Sequence, residues 1–187
     1  MEIDGRRPVV FLDIDGVLNG GWQHEYYSVI NGGEIMNRDV RGDWVCRSKA
    51  GALFGIFRIH AAQVVIVSSW CRPYQRSDDP EILALKKFFK YEDILCSLST
   101  GGGIERPHSI LEFLDTYPEV TNWVAIDDSY HLYQEIDFPA DRLIACNGRY
   151  GIADCQLAEV EDLLRTNKRL VSRYKDTLTF DPMNHSR

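Results

Sequence analysis

The chain has 187 residues, of which 44% are hydrophobic and 26% are charged. Such a length suits one globular domain, residues 1–187, whose hydrophobic core is large enough to fold without disulfides or a structural metal. The composition excludes collagen-like, coiled-coil and disordered chains. The 21 basic and 28 acidic residues leave a net charge of −7. That charge argues against binding of bulk nucleic acid, while a local basic groove stays open.

The sequence carries no sign of a membrane segment or of disulfides. No stretch approaches the roughly 18 uncharged apolar residues of a membrane span, and Asp13 and Asp15 interrupt the N-terminal apolar run. We therefore expect no membrane partner and no signal peptide. Five cysteines are scattered without a C-x-x-C pair, which predicts reduced thiols, no zinc site and a cytoplasmic location.

Short apolar runs alternate with amphipathic segments along the chain. The apolar runs predict strands at 8–12, 64–67, 94–98, 123–126 and 142–146. The amphipathic segments predict helices at 47–60, 81–89, 109–117 and 157–175. Continuous β-branched runs between helices are typical of a mostly parallel sheet covered on both faces. We predict a Rossmann-like α/β fold, a three-layer α/β/α sandwich.

Residues 19–46 interrupt this alternation and are rich in glycine and polar residues. We interpret them as a hairpin flap or minimal cap inserted after the first strand. Its aromatic residues Trp22, Tyr26 and Tyr27 either stack on a substrate base or sugar or pack onto the core. No segment is long enough for a large inserted domain, so we expect an open site.

Polar side chains follow three of the predicted strands. Asp13 and Asp15 come after the first strand, Ser68 and Ser69 after the second, and Asp127 and Asp128 after the fourth. In an open parallel sheet, ligands bind beyond the carboxyl ends of the strands, where the strand order reverses. We therefore expect these residues to meet at one edge of the sheet.

Four carboxylates at one edge need a cation. Two like charges about 5 Å apart at an effective dielectric near 20 repel by roughly 3 kcal/mol. Hard oxygen ligands in this number suit Mg²⁺, which binds carboxylates, waters and a substrate phosphate. A phosphate dianion would still need a basic residue and a hydroxyl donor such as Ser68. The Asp13-Ile14-Asp15 spacing at a strand end lets one carboxylate attack phosphorus while the other reaches the leaving oxygen.

Each of these motifs alone has a simpler interpretation. Asp-x-Asp-Gly is usually a turn or cap, and an EF-hand is excluded because its twelfth position is His24 rather than glutamate. Ser68 alone indicates a helix cap, and Asp127-Asp128 a turn. The three motifs in this order at successive strand ends make a much stronger joint signal.

The segments 11–19, 64–68 and 124–128 resemble the first, second and fourth motifs of the haloacid dehalogenase-like (HAD) phosphohydrolases. The resemblance implies a Mg²⁺-dependent phosphatase that forms an aspartyl-phosphate. Asp13 is then the nucleophile and Asp15 the general acid and base, with Gly16 in a tight turn beside the ligand.

The resemblance also assigns the ligands of the phosphate and the metal. Ser68, with Ser69 and Arg72 nearby, would bind the substrate phosphate. Asp13, Asp15, Asp127 and Asp128 would surround the metal, with Asp128 the more direct ligand of its pair and the Ile14 carbonyl facing the ion.

The third motif departs from the family pattern. The family places a lysine before a helix, whereas this chain has Arg106 followed by Pro107. Arginine keeps the charge and can clamp a phosphate bidentately, but it is planar and bulkier than lysine. Lys86 and Lys87 are alternatives, although they lie on a predicted amphipathic helix whose charged face is ordinarily solvated.

Arg106, the D-G-V-L-N ending of the first motif and the Ser68-Ser69-Trp70 run followed by Arg72 also resemble the compact HAD domains of "Swiss Army knife" RNA-repair proteins. This makes a phosphorylated small molecule or a nucleic-acid terminal phosphate the expected substrate. Several arginines either line a local groove or are ordinary surface charges: Arg38, Arg41, Arg47, Arg72 and Arg76.

Two other classes of function remain open from the residues. A receiver-like phosphoryl-accepting module also uses carboxylates, Mg²⁺, a hydroxyl and a basic residue, but its acceptor aspartate would follow the third strand. A non-catalytic phosphate-binding relative would have no use for Asp15 as an acid, although Arg106 keeps this alternative open. The oligomeric state is not indicated by the sequence.

Overall fold

The computed structural model describes residues 3–19, 45–69, 71, 74–99 and 105–167, except for the side chain of Arg47. In these residues five parallel strands form one sheet in the order β3-β2-β1-β4-β5. The strands are β1 (Val9–Leu12), β2 (Gln63–Ile66), β3 (Ile94–Ser97), β4 (Trp123–Asp127) and β5 (Leu143–Ala145).

Helices connect the strands and cover both faces of the sheet. They are α1 (Arg47–Ile59), α2 (Pro80–Phe89), α3 (Glu105–Thr116), α4 (Tyr130–Gln134) and α5 (Asp154–Thr166), with a 3₁₀ turn at Ala140–Arg142. None of the helices in the described residues is long and apolar enough to cross a membrane. The predicted α/β architecture is confirmed.

Alternate strand residues feed two separate cores. Val10 and Leu12 of β1 pack with buried residues of α1, α2 and α5 on one face. Val9 and Phe11 pack with α3 and α4 on the other, where the Phe11 ring meets Phe113 edge-on at 5.3 Å. Because both faces are buried, the strands need apolar residues at every position, which explains the continuous runs in the sequence.

The reversal of strand order lies beside β1. Its neighbours are β2 and β4, in register from Val9 to Leu12. The carboxyl ends of these three strands therefore stand next to one another, as predicted for the residues that follow them. Cys46 donates a backbone hydrogen bond to the Leu18 carbonyl at 2.8 Å, so these two residues of the described chain are neighbours. Residues 20–44 of the predicted flap lie outside the described residues.

The boundaries of α3 and α5 differ from the predictions. α3 begins at Glu105 instead of residue 109, because Pro107 is tolerated in the first helical turn and ends no helix there. α5 begins at Asp154 instead of residue 157. Its predicted end at residue 175 is wrong, because Asn167 adopts a left-handed conformation with φ 54° and ends the helix. The short helix α4 has no periodic pattern to predict it.

Candidate active site

The turn after β1 places Asp13 at the switch point. Its amide donates to the Ile126 carbonyl of β4 at 3.0 Å, so Asp13 still belongs to the sheet edge. One carboxylate oxygen, Oδ1, accepts the amide of Ile14 at 2.7 Å. Gly16 then reverses the chain with φ +71°, a conformation that favours glycine. Asp13 itself is only 1% exposed.

Arg106, in the first turn of α3, contacts this carboxylate. Its Nη1 donates to Asp13 Oδ2 at 2.9 Å and to both oxygens of Asp127, at 2.9 and 2.8 Å. The Arg106 side chain is 11% exposed. One guanidinium nitrogen therefore links two buried carboxylates that come from neighbouring strands.

Asp127, the last residue of β4, is held by four hydrogen bonds. Besides the two from Arg106, Oδ1 accepts the Ser129 amide at 2.8 Å and Oδ2 accepts the Tyr133 hydroxyl at 2.8 Å. A carboxylate offers about four lone-pair positions, so protein donors use much of the accepting capacity of Asp127.

Burial makes the proton affinity of the Asp13 carboxylate high. Desolvation, reinforced by the negative charge of Asp127, raises the pKa of Asp13 to about 7. The Arg106 charge and the Ser68 hydrogen bond act in the opposite direction and do not cancel the effect. Because the pKa is raised by burial and by a neighbouring negative charge, a further positive charge close to Asp13 would lower it and favour the ionised form.

Asp128 projects into a space kept open by two glycines. A Cβ atom on Gly16 would lie 2.0 Å from Asp128 Oδ2, and one on Gly148 would lie 2.3 Å from it. The Ser129 hydroxyl donates to Asp128 Oδ1 at 3.1 Å. Partial burial raises the pKa of Asp128 above its usual value. Side chains at either glycine position would displace this carboxylate.

Three carboxylates converge closely enough to hold a metal ion. One oxygen each from Asp13, Asp127 and Asp128 lies within 4.8 Å of the others. Hard carboxylate oxygens are the ligands that Mg²⁺ prefers, and burial, with the Asp127 charge as a smaller cause, raises the pKa values of Asp13 and Asp128, an effect that a bound dication would oppose. The residues present therefore fit a magnesium site.

Comparison with known families accounts for this arrangement. Residues 9–157 match the family model described as the HAD domain in Swiss Army Knife RNA repair proteins. The chain belongs to this family. No curated protein and no solved structure gave a match.

Membership confirms the predicted superfamily and the RNA-repair type of HAD domain, which is a phosphatase-type hydrolase fold. The match begins at β1 and extends into α5, so it covers all the elements that carry the acidic cluster.

Asp15 lies outside the group formed by Asp13, Asp127 and Asp128, although it was predicted as a fourth metal ligand. Its side chain is exposed, and its Oδ1 accepts Nδ2 of Asn19 at 2.8 Å. Asn19 is buried, and its side-chain oxygen accepts the Gly16 amide at 2.9 Å. Asn19 thus orients the exposed Asp15 carboxylate, which lies two residues after Asp13 in the chain.

The role predicted for the Ile14 carbonyl is not supported. This oxygen accepts the amides of Val17 at 3.3 Å and Leu18 at 2.9 Å, so it is used by the turn. The side chain of Ile14 is fully buried in the core.

The predicted phosphate-binding residues are only partly described. Ser68 is buried at the end of β2 and hydrogen-bonds Asp13, and Ser69 beside it is exposed. Lys87 is exposed on α2 and Lys86 half-buried there, as the amphipathic pattern predicts, while Arg106 takes the basic position beside Asp13. Other predicted residues lie outside the described positions: Trp22, Tyr26, Tyr27, Arg38, Arg41, Arg72 and the Arg47 side chain. Arg76 is exposed beside β3.

Sequence reasoning missed one residue that shapes the site, Tyr133. Tyr133 follows Asp127 by six positions on a five-residue helix, too short to show a period. Gly148 is one of the two glycines beside Asp128. Its place after the fifth apolar run was the one available signal, because that run ends at the same sheet edge.

Proposed function

We propose that this HAD domain is a Mg²⁺-dependent phosphomonoesterase that works through an aspartyl-phosphate on Asp13. The observation that supports it most directly is Arg106 Nη1, which lies 2.9 Å from Asp13 Oδ2 beside a cluster of three carboxylates. The arrangement combines a buried nucleophile, a fixed cation and a site for a dication. Bound Mg²⁺, held by carboxylates of the cluster, would neutralise charge on the transferring phosphoryl group.

In the first half of the reaction, a carboxylate oxygen of Asp13 attacks phosphorus. The bond between phosphorus and the ester oxygen breaks, and Asp15 gives its proton to the leaving alkoxide. The hydrogen bond from Asn19 orients the Asp15 carboxyl group for this transfer. Arg106 holds Asp13 in a single orientation before the attack.

In the second half, water attacks the phosphorus of the acyl phosphate. Asp15, now ionised, takes a proton from the water, and the bond between phosphorus and the Asp13 oxygen breaks. Inorganic phosphate leaves, and Asp13 returns as a carboxylate. The proton that Asp15 gave to the leaving group is thereby replaced, so the cycle balances.

The guanidinium of Arg106 has a second function that lysine would lack. Within the described residues, its hydrogen bonds to carboxylates use Nη1, whereas the buried Nε–H has no partner there. Nε and Nη2 form a planar fork that matches two oxygens of a phosphate. We assign this edge to the phosphoryl oxygens of the substrate, together with the Ser68 hydroxyl.

For the substrate we propose a terminal phosphate of RNA or a nucleotide. The family description names RNA-repair proteins, and the side chain of the proposed acid, Asp15, is exposed. A net charge of −7 disfavours binding along a bulk nucleic-acid backbone and suits recognition of an end.

Phosphate release tests the function. Sugar phosphates, nucleotides and oligoribonucleotides with a 5′- or 3′-phosphate are assayed with Mg²⁺ and with a chelator. The parent should release phosphate only with Mg²⁺, whereas Asp13→Asn should release none. Asp141→Asn, on the exposed 3₁₀ turn, is the matched control and should retain full activity. Equal turnover by the parent and Asp13→Asn would exclude Asp13 as the nucleophile.

A second measurement separates the phosphatase from a receiver-like module or a passive binder. After acid quenching, label from a ³²P-phosphate ester should appear transiently on the parent protein and accumulate on Asp15→Asn. Label that persists on the parent without release would indicate a phosphoryl-accepting module. Binding of phosphate without any label on either protein would indicate a non-catalytic relative.

A further inference from the structure

Tyr133 is a buried hydroxyl beside the active site for which neither the motifs nor the family match gives a role. It lies on α4, is 4% exposed, and donates to Asp127 Oδ2 at 2.8 Å. Its ring packs edge-on against Phe138 at 4.7 Å, and Phe138 in turn packs against Trp123 of β4 at 5.7 Å. The aromatic packing fixes where the hydroxyl can reach.

The hydroxyl begins a continuous chain of short contacts that ends at the nucleophile. Tyr133 holds Asp127, Asp127 holds Arg106 Nη1 at 2.8 Å, and the same Nη1 lies 2.9 Å from Asp13. Every member of the chain is buried or nearly so, with Arg106 the most exposed at 11%. Movement at one end therefore has to be accommodated at the other, since the interior has little free space.

We propose that Tyr133 is a positioning residue for Asp13, acting through Asp127 and Arg106. This inference rests on the proposed function, because it assigns the chain to the nucleophile of the phosphoryl transfer. A neutral phenol suits the task. It supports the Asp127 charge by a hydrogen bond and adds no cation that would draw Asp127 away from Arg106.

The same contacts give the adjacent residues Asp127 and Asp128 different roles. Asp127 accepts four protein hydrogen bonds and serves as the anchor of Arg106. Asp128, between two glycines and with Oδ2 turned toward them, keeps accepting capacity for the metal ion. Removing the Tyr133 hydroxyl should change the orientation of the Asp13 carboxylate and leave the metal ligand Asp128 in place.

The test compares Tyr133→Phe with Tyr91→Phe. Tyr91 is also buried, and its hydroxyl donates to the backbone carbonyls of Phe57 and Ala62, at the opposite end of the strands. Both variants lose one buried hydroxyl, but only one of these hydroxyls contacts the chain to Asp13. We expect kcat to fall about tenfold in Tyr133→Phe, with a smaller change in KM, and kcat to stay within twofold in Tyr91→Phe.

A double-mutant cycle shows whether Tyr133 acts through Asp127. In an Asp127→Asn background, Tyr133→Phe should lower kcat by less than about twofold, because the residue that transmits its effect has already been altered. A further tenfold loss in that background would overturn the proposed chain. Equal kcat losses in Tyr133→Phe and Tyr91→Phe would also overturn it.

Mn²⁺ binding, followed by electron paramagnetic resonance, gives a readout that does not need activity. The Mn²⁺ affinity of Tyr133→Phe should stay within about twofold of the parent, whereas Asp128→Asn should lower it by at least tenfold. A loss in Tyr133→Phe as large as that in Asp128→Asn would overturn the proposal, because the hydroxyl would then serve the metal. If the parent releases no phosphate from any substrate, the proposed function fails. The positioning role of Tyr133 is tested separately by a crystal structure of Tyr133→Phe. An Arg106 that still lies 2.9 Å from Asp13 in that structure would overturn the role.

Discussion

Arg106 Nη1 donates to Asp13 Oδ2 at 2.9 Å, although the two residues are 93 positions apart in the sequence. The same nitrogen contacts Asp127, so one positive charge serves two buried carboxylates. With Asp128, three carboxylates and one guanidinium leave a formal charge of −2 when all are ionised. The cluster is therefore balanced for one divalent cation, and it is electrostatically strained without one.

Removal of the Arg106 charge should destabilise the domain. Arg106→Met leaves two carboxylates buried without their cation, and we expect the free energy of unfolding to fall by about 3 kcal/mol at neutral pH. Arg106→Lys keeps the charge and should recover part of that loss. Urea denaturation in the presence of a chelator measures both.

The control for this prediction is Arg6→Met, because Arg6 forms an exposed ion pair with Asp4 that should add almost nothing. In activity assays, Arg106→Lys should retain weak turnover with a raised KM, since lysine lacks the planar pair of N–H groups, Nε and Nη2, proposed to bind the phosphate oxygens. Wild-type stability of Arg106→Met would contradict the assigned ion pairs.

Stability of the metal-free protein should decrease as the pH rises from about 4 to about 7. The pKa of Asp13 is raised to about 7 by burial, whereas an unfolded aspartate has a pKa near 3.9. Between these values the folded state binds more protons than the unfolded state, so the unfolding free energy falls with pH and levels off above pH 7. Asp128, whose pKa is also raised, acts in the same direction.

Asp13→Asn should flatten this dependence and raise the melting temperature at pH 8, where the parent carries the buried charge. Thermal unfolding in a chelator from pH 4.5 to pH 8 measures the effect. The matched control is Asp141→Asn, on the exposed 3₁₀ turn, which should leave the slope unchanged. A parent protein that becomes more stable between pH 5 and pH 7 would contradict the pKa assignment.

Gly148→Ala should weaken metal binding. The new Cβ would lie 2.3 Å from Asp128 Oδ2, so the carboxylate must move. We expect Mg²⁺ activation to need at least about tenfold more Mg²⁺, the usual effect of disturbing a group that orients a metal ligand. Activity titrations against Mg²⁺ measure the shift.

Gly51→Ala is the matched control for Gly148→Ala. Gly51 lies inside α1, and apart from the adjacent helix backbone no heavy atom of the described residues lies within 4 Å of its new Cβ. This variant should leave Mg²⁺ activation unchanged and stabilise the protein by about 0.5–1 kcal/mol. Unchanged Mg²⁺ activation in both variants would show that Asp128 does not bind the metal.

Excess Mg²⁺ should raise the melting temperature of the parent, because a ligand that binds only the folded state stabilises it by mass action. Chelation should reverse the shift and abolish phosphate release. Asp128→Asn should lose most of the Mg²⁺-dependent shift, while Asp141→Asn should keep it. A parent that shows no shift at millimolar Mg²⁺ and full activity in a chelator would contradict the magnesium site.

The sequence by itself determined the fold class and the edge of the sheet where the site lies. Buried parallel strands require apolar residues on both faces, so each strand appears as a continuous run, and the polar residues after 8–12, 64–67 and 123–126 identify the carboxyl edge. The aspartates, Ser68 and Arg106 follow from that pattern and from the family resemblance.

Only the tertiary structure decided how these residues share the work. Asp127 and Asp128 are indistinguishable neighbours in the sequence, yet one binds Arg106 and Tyr133 and the other lies between two glycines. These contacts join residues from α3, α4 and the turn after β5, whose relative positions depend on strand register and helix packing. Local patterns contain no information on such distances, because the hydrogen bonds form only after the two apolar cores have brought the elements together.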